Sequence, residues 1–240
     1  MTLDSKSEAF SPKRLARIGG IIYLIIIVFG VFGEIFVRNK IIVAGDPAAT
    51  ALNMLASPML WRFGIAGDLL MHVCDVPLIV IFYILLRPVN KNLALLNLSF
   101  NLIQTTVLVA NKLNLLMTMF LLGDAEYLKT VDLAELKTLS YLFIKLHSYG
   151  FAVGLIFFGF VCIVEGHLIV KSAFIPGIIG RLLQLAGICY LLNSFILILY
   201  PEQSSMIILL PCFIAELALA LWMLIKGVDE PKWKLRMQGV

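Results

Sequence analysis

Six long apolar runs alternate with short polar stretches along the chain. They fall at about Leu15–Val37, Trp61–Leu86, Leu93–Leu122, Leu139–Val170, Ile178–Tyr200 and Met206–Ile225. Each is long enough for a helix to cross a hydrocarbon core of roughly 30 Å. The third and fourth exceed that need, so they tilt, kink or project beyond the bilayer. The pattern predicts an all-α polytopic membrane protein: a bundle of six transmembrane helices over 15–227, with polar tails at 1–14 and 228–240. Two connectors carry helix-start signals. In "GDPAATALNML", Asp46 suits an N-cap and Pro47 a first helical position, which predicts a short interfacial helix on the outer side. "DLAEL" places Glu135 three residues after Asp132, a capping-box-like start for the fourth span.

Composition agrees with a lipid solvent. Hydrophobic residues make up 61% of the chain and charged residues 14%, with a mean hydropathy of +0.98. A soluble domain carries about 25% charged residues. The net charge of +4 matters less than its placement. Twelve of the 19 lysines and arginines flank the ends shared with the two termini, among them Lys13, Arg87, Lys171 and Arg236; five lie on the other side and two within spans. The positive-inside rule then puts both termini in the cytoplasm. No basic, aromatic-interleaved patch points to nucleic acid. The cysteines Cys74, Cys162, Cys189 and Cys212 all sit in apolar runs without metal-ligand spacing, so they read as small buried hydrophobes.

The ionisable residues inside the runs change this picture most. Asp68, His72 and Asp75 follow one another at spacings of four and three, on one helical face. That face must look into the bundle, since a charge at mid-bilayer costs several kcal/mol. Glu34, Asn111, Lys112, Asn114, Lys145, His147 and Asn193 also fall in the outer halves of their spans, and Glu216 near the middle of the sixth. Lys145 and His147 are two apart and cannot share a face. Asn101, Gln104 and Gln184 in the inner half are uncharged, while Arg181 and Glu165 lie close enough to the inner surface to snorkel. The expectation is a polar pocket that opens outward above an apolar plug, formed by Glu34, Asp68, His72, Asp75, Lys112, His147, Asn193 and Glu216. Acids outnumber the bases Lys112 and Lys145 there; beside Lys112, Asp75 would stay ionised. A carboxylate left without a cation takes up a proton. Pro77 and Pro211 lie near Asp75 and Glu216, where kinks would free carbonyls.

Four readings compete. An outward cavity with a titratable site suits binding or transport of a small polar or cationic solute, coupled to protons. An intramembrane enzyme would use His72 or His147 with acids, but no H-E-x-x-H or G-x-S-x-G signature is present. His72 and His147 lie at similar depths, so a haem or metal site is conceivable, although the residues specify no cofactor. A receptor or assembly factor with a purely structural polar network fits as well. The lipid bilayer is the one definite partner; a solute, proton or cation is expected beside it. With no heptad or strong G-x-x-x-G pattern, a monomer or loose homodimer is expected. A loose internal match, "GIIYL" in the first span and "GICYL" in the fifth, reads as chance similarity between apolar helices.

Several ordered stretches carry a family resemblance: "ARIGGIIYLIIIVFG", "EIFVR" followed by "GDPAATALN", "CDVPL" leading to "LLRPVN", "LHSYGF" and "AELALALWMLIKG". Together they resemble the bacterial membrane family catalogued as domain of unknown function 4386, over roughly Leu15 to Gly227. The resemblance implies a multi-pass protein of the bacterial inner membrane and supplies no activity. The matching stretches contain Glu34, Arg38, Asp75, His147 and Glu216. They do not mark His72, which counts against readings that need it as a ligand.

Overall fold

The computed structural model describes residues 11–203 and 205–239. The first ten residues of the expected N-terminal tail lie outside the described residues. The helices are α1 (Pro12–Ile41), α2 (Pro47–Ala56), α3 (Pro58–Leu86), α4 (Lys91–Leu121), α5 (Leu133–Ser172), α6 (Gly177–Leu199), α7 (Leu210–Ile225) and α8 (Glu230–Gln238). Among the described residues there is no strand. Six segments are long and apolar enough to cross a membrane: α1, α3, α4, α5, α6, and α7 with the turn before it. This is the predicted all-α bundle.

Local chemistry explains the helix ends. Asp46 accepts a hydrogen bond from Ala49 N at 2.9 Å, and Pro47 follows, so α2 starts where the sequence said. Asp132 caps α5 by accepting from Ala134 N at 2.7 Å, and Asn90 caps α4 by accepting from Leu93 N at 3.0 Å. Pro77 lies inside continuous α3 and leaves the carbonyl one turn earlier without its usual donor. Pro211 differs from expectation. It occupies the first turn of α7, after a 3-10 turn at Met206–Leu209, where a missing N–H costs nothing, so it starts a helix and does not kink one.

The spanning helices form a ring in chain order. Each packs mainly on its sequence neighbours, and α1 packs on α7 to close the circle. That closure is tight. A Cβ at Gly20 would meet backbone atoms of Leu224 and lie 2.9 Å from Ala220 O, so only glycine lets α1 approach α7 this closely. Pro12 and Gln238 lie at one end of the bundle, where Arg17 donates to Ile225 O and Ser11 to Glu230. We call this the proximal end, and the end bearing α2 the distal end.

Two apolar cores are stacked along the ring. The larger, proximal one contains Leu85, Leu168, Ile169, Leu183, Leu219 and Met223. It also takes in Trp233 of α8, whose Nε1 donates to Leu85 O at 2.9 Å, so part of the expected C-terminal tail is docked on the bundle. The smaller, distal core contains Val37, Ile41, Met54, Trp61, Ile65, Leu115, Tyr141 and Ile144. A polar layer lies between them.

Candidate functional site

The polar layer begins with α1. The sequence pattern ends the first span at Val37 and counts Arg38 as a loop residue. The helix instead continues to Ile41, and Phe32–Arg38 is wound as a π-helix, with Asn39 N bonded to Glu34 O. Such wide turns recur at functional sites. Here the wide turn holds Glu34 and Arg38 together, with Arg38 Nε donating to Glu34 Oε2 at 2.7 Å, and it aims the guanidinium inward. Arg38 Nη1 donates to Asp68 Oδ2 at 2.6 Å. Lys112 Nζ from α4 reaches the same oxygen at 2.8 Å and lies 3.4 Å from His147 Nε2 of α5. One carboxylate oxygen thus joins cations from two helices, and the chain Glu34–Arg38–Asp68–Lys112–His147 links four of the six spans.

The layer is dry. Asp68 is fully buried, and Lys112 and His72 are each 2% exposed. Beside a charged Lys112, His147 Nε2 is an acceptor, which puts the ring proton on Nδ1. Asn111 fixes the α4–α5 contact by donating to His147 O at 2.8 Å, and Asn114 donates to Asn111 Oδ1 at 2.9 Å. Gly150 makes room for this amide, since a Cβ there would overlap Asn111. Two buried polar atoms are left without partners in this layer, Asp68 Oδ1 and His72 Nε2.

Asp75 is not paired with Lys112, which goes to Asp68. Asp75 lies 2.9 Å from His72 Nδ1, one turn away on α3. The reason is the hairpin between α3 and α4. Counted from its turn near Pro88, Asp68 and Lys112 are each about 20 residues out, so they lie level, whereas Asp75 lies some 10 Å or more nearer the turn. Lys145 faces outward, exposed, with its ammonium 5.7 Å from the Tyr141 ring. The layer and the neighbouring Glu216 thus hold four acids, Glu34, Asp68, Asp75 and Glu216, against one arginine and one lysine, Arg38 and Lys112.

Glu216 forms a second centre with no lysine or arginine partner among the described residues. Tyr23 of α1 donates to its Oε2 at 3.2 Å and Tyr190 of α6 to its Oε1. These are the two tyrosines of "GIIYL" and "GICYL", the repeat read as chance. Both helices flank α7, and the repeated tyrosine grips one carboxylate from two sides. Glu165 does not snorkel to the surface. It is 5% exposed and accepts from Asn97 Nδ2 at 3.2 Å. Asn193 is buried on α6, its Oδ1 without a partner; α6 packs mainly on α5 and α7, which sets Asn193 apart from the Asp68 network.

The expected outward opening takes a different form. The distal core roofs the polar layer, with Trp61 donating to Thr118 Oγ1 at 3.1 Å and Met54 of α2 packed into the roof. The roof was hard to read because its residues, one turn from each polar group, look like any other apolar span residues. Among the described residues no three His, Cys, Asp or Glu side chains are grouped as metal ligands. His72 Nδ1 and His147 Nε2 are engaged by Asp75 and Lys112.

This fold and layer define a multi-pass α-helical membrane protein with a buried charge network. The chain belongs to the family described as domain of unknown function 4386, whose model matches residues 18–227. It is 26% identical to an uncharacterised protein of Archaeoglobus fulgidus over 167 residues, covering 69% of this chain and 84% of the relative. No solved structure matches it.

Proposed function

We propose that the protein binds and transports a small cationic or polar solute across the membrane, with protons balancing the charge. The surplus of acids carries this reading: Glu34 and Asp68 take up Arg38 and Lys112, while Asp75 has only His72 beside it and Glu216 only two tyrosines. Ionised groups in a bilayer are expensive and mark solute or ion routes. A surplus carboxylate there needs a proton or a cation, and exchange between the two is ion coupling. Asp75 is the exchanging acid in this scheme. It is half-buried, has His72 as its partner, and sits two residues before Pro77, which leaves one carbonyl of α3 without its backbone donor. Asp68 is the pivot, because displacing either cation from it would loosen α1 or α4 from α3. Access is from the distal end by lifting the roof of Trp61 and Met54, with α2 as the moving element.

The wholly structural reading is favoured by one observation, the directness of the three charge contacts at 2.6–2.8 Å. Proteoliposomes loaded with a pH-sensitive dye separate the two. They are challenged with alkali cations, tetramethylammonium and simple amines. The expected result is a cation-dependent proton flux that Asp75→Asn abolishes while the variant stays monodisperse. If no challenge moves protons, or if Asp75→Asn keeps the flux per folded molecule and loses only thermal stability, the transport reading fails and the network is a static lock.

A further inference from the structure

At the proximal end, α8 does more than plug the bundle. It leaves a concavity of about 210 Å³ between itself, the start of α4 and the end of α5, lined by Val89, Asn90, Leu93, His167, Lys171 and Arg236. A second, of about 230 Å³, lies on the other side of Arg236 against Ala173, Lys232 and Leu235. His167 and Lys171 are one turn apart on α5, so both heads reach the same hollow. Arg236 is tethered there, with Nη2 donating to Lys171 O at 2.9 Å. The neighbouring cations of α8 are already neutralised, Lys232 by Asp229 at 3.0 Å and Lys234 by Glu230 at 3.2 Å. Lys171 and Arg236 form no ion pair with any described carboxylate, so the positive charge at this point is uncompensated.

We propose that this concavity is a binding site for the phosphate of an anionic phospholipid headgroup, drawn from the leaflet at the proximal end. The chemistry fits in three respects. Lys171 and Arg236 supply a point charge and a planar donor fork, the usual pair for a phosphodiester. Asn90 and His167 add polar groups at the rim, and Val89 and Leu93 offer apolar wall for the glycerol and upper acyl chain. The level is right, since the site joins the first residues of α4 to the last of α5, where the two spans leave the bilayer. A free phosphate would satisfy the same cations. The lipid is preferred because α8 also presents Leu235, 68% exposed, on the wall of the second concavity next to Arg236. An exposed leucine flanked by basic residues suits a helix lying in the headgroup region. Bound there, the lipid would bridge α8 to α5 and hold Trp233 in the proximal core.

Native mass spectrometry of the full chain, released from micelles containing equal phosphatidylglycerol and phosphatidylcholine, tests this. The expected result is a retained phosphatidylglycerol adduct. In the Lys171→Gln/Arg236→Gln variant its affinity should fall about 30-fold, at roughly a factor of five or six for each basic residue near a lipid surface. Arg87→Gln, at the same end but outside the concavity, is the control and should keep the adduct. Trp fluorescence checks that Trp233 remains docked in each variant. Three results would overturn the proposal: equal retention of both lipids by the wild type, an unchanged phosphatidylglycerol preference in the double variant, or full displacement of the adduct by equimolar inorganic phosphate. The last would make this a free-phosphate site.

Discussion

Replacing Lys112 by methionine isolates the central contact of the polar layer. The change keeps the unbranched side chain up to the Cε position and removes the charged ammonium. Asp68 Oδ2 then keeps only Arg38, at 2.6 Å, while Oδ1 already lacks a partner and the residue is fully buried. Breaking a buried ion pair from one side costs about 3–5 kcal/mol. Because Arg38 still holds the carboxylate, the expected loss is at the lower end, about 3 kcal/mol. For a chain of this size that corresponds to a fall of about 6–12 °C in midpoint, at about 2–4 °C for each kcal/mol. Adding Asp68→Asn should recover much of it, because the double variant retains Glu34 and Arg38 as a neutral pair. We expect a coupling energy of about 2 kcal/mol between the two sites, within the range for residues in one charge network. Unfolding by a denaturing detergent in mixed micelles, followed by tryptophan fluorescence, measures all four corners of the cycle. Lys145→Met serves as the surface control and should change stability by no more than about 0.5 kcal/mol. Additive losses, with coupling below about 0.5 kcal/mol, would refute the reasoning, since Asp68 and Lys112 would then not share a buried charge contact.

Two further outcomes bear on the ring and its orientation. Gly20→Ala should loosen the α1–α7 closure and lower stability by about 1–3 kcal/mol, the usual cost of forced overpacking, because the added methyl meets backbone atoms that cannot rotate away; an unchanged unfolding midpoint would show that the ring is not closed at this point. Single cysteines at Gly123 and Gln238 should label from opposite faces of the membrane in sealed vesicles, with Gln238 on the cytoplasmic face; labelling of both from one side would refute the six-span topology, and labelling of Gln238 from outside would invert it.

The sequence by itself determined the solvent, the number of spans and the starts of two helices. These follow from local quantities: the length of an apolar run against the bilayer thickness, and a short polar side chain before a proline or an apolar stretch, as at Asp46 and Asp132. It also named most of the polar layer, because charge within an apolar run is conspicuous whatever it touches. The tertiary structure decided the pairings. Asp68, and not Asp75, meets Lys112 because two antiparallel helices fix which residues are level, a relation that exists only once the hairpin is closed. Arg38 joined the layer because a π-helical turn carried α1 beyond its apolar run, and no hydropathy pattern records a change in helical winding. Tyr23 and Tyr190 converge on Glu216 because the ring closes α1 and α6 around α7. In the sequence they lie 167 residues apart in two similar pentapeptides, and only the fold makes that similarity a shared grip on one carboxylate.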